Sequence, residues 1–421
     1  MRSFIEYAGR KTWSGYLDSA DVLEIKSEDG PPEEPYAVLR ESLIVSEELE
    51  NALKDHNRIG LIVNDRNRPT PTHLFFEFLV KEMVSHLGNI KKVHIATGSH
   101  KEPGQDEISS ILGPGYNEFI HKVHVHDARE EKKHIDHGAT SRGTPIWLDS
   151  ELEEHDLFIF LNSVEPHYFA GFTGGRKSII PGMAHFETIE KNHRFALDPA
   201  SRTLGLKGNP VHEDMMEALE IFLKKKEHIS IQMVQGPGKE LSSVHIGDMW
   251  DSFHRACDHA LLQFCLPITE RYDVVVSVAR SPMDKTLYQA QKAMENGKLA
   301  LKKGGTLVLV ASCSDGIGQS TFWDLLSASE DPNDVLRRID KGYKLGYHKA
   351  AKIVQLGRSA DIYLVSSLDE KLVEKGFMSG YGSLDEALTN ALKGKNEKPR
   401  ILLIPDGTVT VPYLKEKEGS I

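Results

Sequence analysis

The stretch EPHYFAGFTGGRKSIIPGMAHFETIEKNH, from Glu165 to His193, sets one lysine, Lys177, behind the glycine pair Gly174-Gly175 and between two histidines, His167 and His193. Glycines let a backbone approach a ligand without interference from a Cβ. The apolar SIIPGMA that follows Lys177 draws the lysine toward the interior. An amine held there loses solvation of its charged form and can act as a nucleophile or a covalent anchor. His193 closes the helical turn FETIEKNH and is a candidate metal ligand through neutral imidazole. The middle of the stretch, GFTGGRKS, nearly matches the phosphate loop G-x-x-x-x-G-K-[ST]. Gly171, Lys177 and Ser178 fall at the right offsets, but Arg176 stands where the second glycine belongs. An arginine crowds the place where backbone must meet phosphate. The plainer reading of the same residues is a surface turn with a solvated lysine.

Three other segments carry chemistry. In NDRNRPTP (64–71), Asp65 and Arg68 flank a turn, and the planar fork of an arginine clamps a carboxylate or phosphate. The same pair also suits a helix start with a surface ion pair. In ATGSHK (96–101), His100 and Lys101 offer a general acid/base beside an anion holder, though a loop histidine is more often a bystander. In SPMDKTLYQAQK (281–292), Tyr288, Gln289 and Lys292 share one helix, with spacings of three and four that set Lys292 beside both others. The His-rich HVHDAREEKKHIDH (124–137) reads as polar surface.

These segments need a frame. RIGLIVND (58–65), KVHIATGS (92–99), VHVHDA (123–128), PIWLDS (145–150) and DLFIFLNSV (156–164) read as strands. THLFFEFLVKEMVSHL (72–87) and DEISSIL (106–112) read as helices between them. The pattern restarts with strands at 272–280, 305–312, 361–367 and 400–407 and a helix over 286–301. Such alternation predicts an α/β protein: two α/β domains with mainly parallel sheets and an active-site cleft between them. The boundaries predicted are 1–268 for an N-terminal α/β domain and 269–400 for a C-terminal α/β domain. A segment 401–421 is free to return to the first. Residues 1–55 read as irregular, and 165–268 as mixed polar. Ligands of open α/β sheets bind beyond the carboxyl ends of strands. Asp65, Arg68, His100 and His167 all fall at such ends.

A length of 421 residues suits two domains. Lys+Arg of 51 against Asp+Glu of 62 gives a net charge of −11, which disfavours nucleic acid and anionic membrane as partners. No run reaches about 18 apolar residues, so no membrane span is expected. Three cysteines without CxxC spacing argue against a disulfide framework and fit a reducing cytoplasm.

Taken together, the four segments resemble the nickel-dependent lactate racemase family, over most of the chain and in the same order. D-x-x-R-P stands as Asp65 to Pro69, G-x-H-[RK] as Gly98 to Lys101, and Leu-Tyr-Gln-Ala-x-Lys as Leu287 to Lys292. The long H-x-F-A-G-x-x-G-G-x-K-x-x-x-P-G element runs from His167 to Gly182, trailed by Asn192-His193. The resemblance implies a racemase or epimerase of 2-hydroxy acids. Its cofactor would be a nickel-pincer nucleotide, pyridinium-3,5-bisthiocarboxylic acid mononucleotide with nickel, supplied by cofactor-synthesis enzymes. By position Lys177 would be its covalent tether and His193 the nickel ligand, with Gly174, Gly175 and Asp65 around it. His100 and His167 would be the paired acid/base residues. Arg68, Tyr288, Gln289 and Lys292 would hold a small anionic 2-hydroxy acid.

The implied chemistry is physically sensible. The α-hydrogen of a 2-hydroxy acid is poorly acidic, because the neighbouring carboxylate already carries charge. Removing it as hydride, while a histidine takes the hydroxyl proton, gives a neutral 2-keto group. Return to the other face inverts the centre. Departures from the family pattern, at Lys101 and around Tyr168, Met283 and His348, leave the acid open: lactate, malate, an aryl-lactate or a sugar acid. A competing reading is a phosphate- or nucleotide-binding protein that uses GFTGGRKS, Arg68 and Lys292 without redox chemistry. A metal-dependent hydrolase is disfavoured by the lack of HExxH.

Overall fold

A computed structural model describes residues 5–7, 10–25, 34–68, 70–236, 238, 240–395 and 398–415. The chain divides into two compact units, Ser27–Gln263 and a second built from Met1–Lys26 together with Phe264–Ile421.

The unit Ser27–Gln263 is organised on a six-stranded sheet. Its chain-order strands are Ile59–Asn64, Ile90–Ala96, Val123–Val125, Leu157–Ser163, Glu227–Gln235 and Leu241–Gly247. In space they run third, second, first, fourth, fifth, sixth. All neighbours are parallel except the last pair, a hairpin. This is the doubly wound order of dinucleotide-binding folds, with its switch between the first and fourth strands. Residues of those two strands are buried on both faces, which is why they read as unbroken apolar runs. Helices Pro35–Ile44 and Thr72–Glu82 contribute Leu39, Leu43, Phe75, Phe76 and Phe78 to the core beside Leu61, Val63, Ile159 and Leu161. Each such side chain contributes about 1.5–3 kcal/mol by burial.

In the other unit all strand pairs of the main sheet are parallel. Strand Tyr272–Val278 lies at its centre, between Leu301–Val310 and Ile401–Ile404, and Asp21–Val22 forms one edge. Ile5 and Leu17 join Val274, Val276, Val308 and Leu403 in one core.

Several expectations change. The N-terminal residues belong with the C-terminal unit, because Leu402 and Leu403 pair with Asp21 and Val22. Residues 401–404 do not return to the first unit; they extend the sheet beside Val274–Ser277. The stretch read as irregular holds helices Pro35–Ile44 and Glu47–Asp55, the second capped by the Ser46 hydroxyl on the Leu49 N–H. The region read as mixed polar holds two strands of the main sheet, Glu227–Gln235 in its core and Leu241–Gly247 at its edge, and the helices Pro210–Leu223 and Met249–Phe264. Strand Pro145–Asp149 exists but pairs with His134–Ala139 in a separate ribbon. Pro69 and residues 26–33 lie outside the described residues.

Candidate active site

The site is assembled at the switch between the first and fourth strands. Asp65 and Arg68 follow Ile59–Asn64, Gly98 to His100 follow Ile90–Ala96, and His167 follows Leu157–Ser163. With Gly174, Lys177, Pro181, Gly182 and His193 they line a cavity of about 110 Å³. That is somewhat below the roughly 150 Å³ that accommodates a benzene ring, so the space suits a small organic acid or one ring of a larger group.

Asp65 is buried, and its Oδ2 lies 2.7 Å from Nδ1 of His100. The same oxygen accepts from Nδ2 of Asn67 at 2.7 Å, and Oδ1 accepts from the Asn67 N–H. Burial pushes the Asp65 carboxyl up, but the His100 contact, Asn67 and Arg68 outweigh it and hold the group below its ordinary value. An ionised carboxylate accepts and does not donate. The His100 proton therefore sits on Nδ1, and Nε2 is left as the basic nitrogen. His167 is arranged the other way. Its Nδ1 accepts from the Ala170 N–H at 3.3 Å, so the neutral ring carries its proton on Nε2. Its ring stacks on Tyr168 and meets the Phe169 edge.

The loop that carries Lys177 is held from below by Arg176, one of the largest wholly buried side chains. Its guanidinium donates to the carbonyls of Ala170 at 2.6 Å, Phe172 at 3.0 Å and Gly174 at 3.3 Å, and lies over the Phe253 ring at 4.6 Å. Burial lowers its pKa to about 10, still far above neutrality. The residue that spoils the phosphate-loop match is thus the staple that fixes the loop. Two loop N–H groups are also engaged within the protein, Gly175 with Oε1 of Gln232 and Lys177 with the Gly174 carbonyl. Gly174 has φ of +80°, and a Cβ there would stand 2.6 Å from Val164 and 2.7 Å from Gln232. No larger residue fits.

Lys177 is itself buried, as SIIPGMA implied, with its Nζ 5.7 Å from the centre of the Phe169 ring. The His193 ring meets the same phenyl at 5.2 Å. Phe169 is fixed in turn through its carbonyl, which accepts from Nδ2 of Asn209, the cap of helix Pro210–Leu223. Burial pushes the Lys177 amine well below its usual range, and Arg68 and Arg176 add to the effect. Burial and Lys177 lower His193 to about 3. Near neutral pH the pocket therefore presents a neutral imidazole at His193 and an amine that gives up its proton readily. Among the described residues, no group of three or more His, Cys, Asp or Glu side chains converges as a metal site.

Tyr288, Gln289 and Lys292 lie on helix Leu287–Gly297 of the other unit, whose cap Thr286 accepts from the Gln289 N–H. Tyr288 packs edge-on to Phe322, and Nζ of Lys349 sits 3.9 Å above its ring while donating to its carbonyl. Burial raises the Tyr288 phenol to about 12. Gln289 is exposed and Lys292 half-buried.

Two residues outside every motif, Asn162 and Gln232, complete the site together with Ser178 of the loop. Asn162, Ser178 and Gln232 form a buried hydrogen-bonded set beneath the loop. The His-rich stretch is not mere surface: His126 is wholly buried and His124 largely so, both on the carboxylate of Asp149. Nearby, the buried His94 and His155 face each other, Nε2 to Nε2, at 2.8 Å. Burial pushes His94 well below 6.5 and His155 to about 4; burial also takes His212 to about 2. The folded state prefers these rings neutral, so their contribution is complete above the unfolded value of about 6.5. It is lost as pH falls from there toward the folded values. Each costs up to roughly 2 kcal/mol at pH 5. Thermal melts should show the transition dropping by several degrees between pH 7 and pH 5; an unchanged midpoint would contradict the neutral rings.

The strand order and the convergence of strand ends define a two-unit α/β protein with a ligand site at a sheet switch point. Residues 18–204 match the lactate racemase N-terminal domain and residues 269–411 the lactate racemase C-terminal domain. The chain belongs to the lactate racemase family, a family of isomerases. It is 29% identical over 382 residues to lactate racemase of Thermoanaerobacterium thermosaccharolyticum, covering 88% of each chain. To lactate racemase of Lactiplantibacillus plantarum it is 28% identical over 417 residues, covering 95% of this chain and 94% of that one. The solved lactate racemase apoprotein of the former organism superposes with a TM-score of 0.87 at 26% identity, over 98% of this chain and 99% of that one. A crystal structure of a Thermotoga maritima protein shares the fold, with a TM-score of 0.69 at 18% identity.

Proposed function

We propose that this chain inverts the α-carbon of a small 2-hydroxy acid by moving hydrogen off and back as hydride, through a 2-keto acid, on a nickel-pincer nucleotide joined to Lys177. The observation that carries the reading is the pairing of Lys177 and His193 against the Phe169 ring, both buried and both shifted toward their neutral forms. A neutral amine is what a covalent tether requires, and a neutral imidazole is what nickel takes. The donor set fits a group that brings its own sulfurs: Cys257, Cys265 and Cys313 are buried and pushed upward by burial, unsuited to metal binding as thiolates. When bound, the group accepts hydride from the α-carbon and gives it back.

The chain's own residues do the rest. Arg68 clamps the substrate carboxylate; the role that the family resemblance gives Lys292, Tyr288 and Gln289 is to hold the substrate. Nε2 of His100 takes the hydroxyl proton, and the imidazolium so formed is stabilised by Asp65. His167 serves the opposite hand: to take that hand's hydroxyl proton at Nε2, its ring proton must stand on Nδ1, which gives up the 3.3 Å contact from the Ala170 N–H. The phosphate-binding alternative loses ground, because Arg176 and two N–H groups of its loop are spent on the protein itself.

The test is a panel of chiral 2-hydroxy acids, with lactate, malate, aryl-lactates and sugar acids included. Protein co-expressed with cofactor-making enzymes is used, and inversion is followed by polarimetry. One acid should racemise or epimerise, and an α-deuterium on it should stay on carbon. Loss of that deuterium to water at each turnover would replace hydride movement by proton exchange.

A further inference from the structure

The His-rich stretch has no part in the reaction described above, yet one of its members touches the segment between the proposed tether and the proposed metal ligand. The side chain of His126 is wholly buried. Its backbone is pinned on both sides, its N–H on the Ile95 carbonyl and its carbonyl under Oγ1 of Thr97. Its Nδ1 lies 2.8 Å from Oδ2 of Asp149, and its Nε2 lies 3.1 Å from the carbonyl oxygen of Ala184.

Neither partner has a proton to give. A backbone carbonyl only accepts. Burial raises the Asp149 carboxyl, but hydrogen bonds from His124 and His126 outweigh this and hold it far below its ordinary value, so it is ionised. A neutral imidazole has one N–H and would face one of these oxygens with a lone pair. Only a ring protonated on both nitrogens satisfies both contacts.

The location gives the contact its meaning. Ala184 lies between Lys177 and helix Phe186–Arg194, which carries His193. The same short run is tied to strand Pro145–Asp149 by the Asp149 N–H on the Met183 carbonyl and the His185 N–H on the Trp147 carbonyl. It is tied inward by Gly98 N–H on the Gly182 carbonyl. His126 adds a side-chain bond to this run at 3.1 Å, and a charged donor makes such a bond stronger than a neutral one does.

We propose that His126, protonated on both ring nitrogens and held by Asp149, is a positioning residue that fixes the connector between Lys177 and His193. The role toward the cofactor rests on the function proposed above; the state of the ring does not. It acts as the partners of metal-bound histidines do, through orientation rather than contact with the reacting atoms.

Two measurements on the full chain decide it. Selective 15N-histidine labelling should assign His126, identified by its loss in His126→Phe, two N–H nitrogens at neutral pH, and one N–H nitrogen in Asp149→Asn. A single N–H nitrogen in the wild type overturns the proposal. In protein co-expressed with cofactor-making enzymes, Asp149→Asn and His126→Phe should retain about tenfold less nickel and carry less of the Lys177 mass increment. Their melting transition at pH 7 should remain cooperative. Wild-type retention in both variants overturns the positioning role. If the wild type itself acquires no increment, the cofactor reading fails and the positioning role with it, while the nitrogen count still gives the state of His126.

Discussion

Lys177→Ala protein, co-expressed with cofactor-making enzymes, should show the unmodified mass of the chain and invert no 2-hydroxy acid. The argument is local. The amine is buried, its charged form is penalised by lost solvation, and Arg68 and Arg176 push in the same direction. A lysine placed this way disfavours folding, since a buried cation costs several kcal/mol and a neutral amine must first give up its proton. Lys177→Ala should therefore fold at least as well as the parent, judged by its melting temperature. Lys177→Arg separates charge from nucleophilicity: a guanidinium stays protonated, so this variant should also lack the adduct. Intact-mass measurement checks both. A fully active protein with an unmodified Lys177 would remove the tether and most of the proposed chemistry with it.

The second large effect is expected at the histidine pair. His100→Ala and His167→Ala should each abolish inversion while leaving the adduct on Lys177 in place. The two rings are not interchangeable, because His100 keeps its proton on Nδ1 through Asp65 and His167 carries its own on Nε2 through the Ala170 N–H. One accepts while the other donates, and neither replaces its partner. Asp65→Asn sharpens the point. An amide in place of the carboxylate turns the His100 proton to the wrong nitrogen, and the comparable change in a serine protease lowers kcat on the order of 10⁴-fold. Initial rates from each enantiomer, with mass spectrometry as the loading control, measure all three. Wild-type turnover by either alanine variant would exclude that histidine.

What the sequence made legible follows from how each signal arises. Strands Ile59–Asn64 and Leu157–Ser163 are covered on both faces, so they stood out as apolar runs, and their polar ends marked the site. The inward pull on Lys177 was readable from SIIPGMA. The strand Glu227–Gln235 is not, because its core includes Ser230 and Gln232, polar residues that bond each other and, through Gln232, the distant Asn162 and Gly175. The inward turn of Arg176 is invisible for a related reason: nothing in GGRKS says that an arginine will collect the carbonyls of its own loop. His124 and His126 sit among charged residues, and their burial depends on Asp149, which belongs to another strand. Local pattern reveals what a residue prefers, and these residues are placed by what lies across from them.

The edge strand Asp21–Val22 sets an order of assembly. Its partners are Leu402 and Leu403, and the Asp21 carboxylate meets Arg400. A nascent chain leaving the ribosome therefore presents its first segment long before those partners are translated. The unit Ser27–Gln263 has all its strands in hand much earlier and can close while synthesis continues. The leading residues must wait for the tail, so deletions or bulky fusions at the amino terminus should weaken the unit that is finished last.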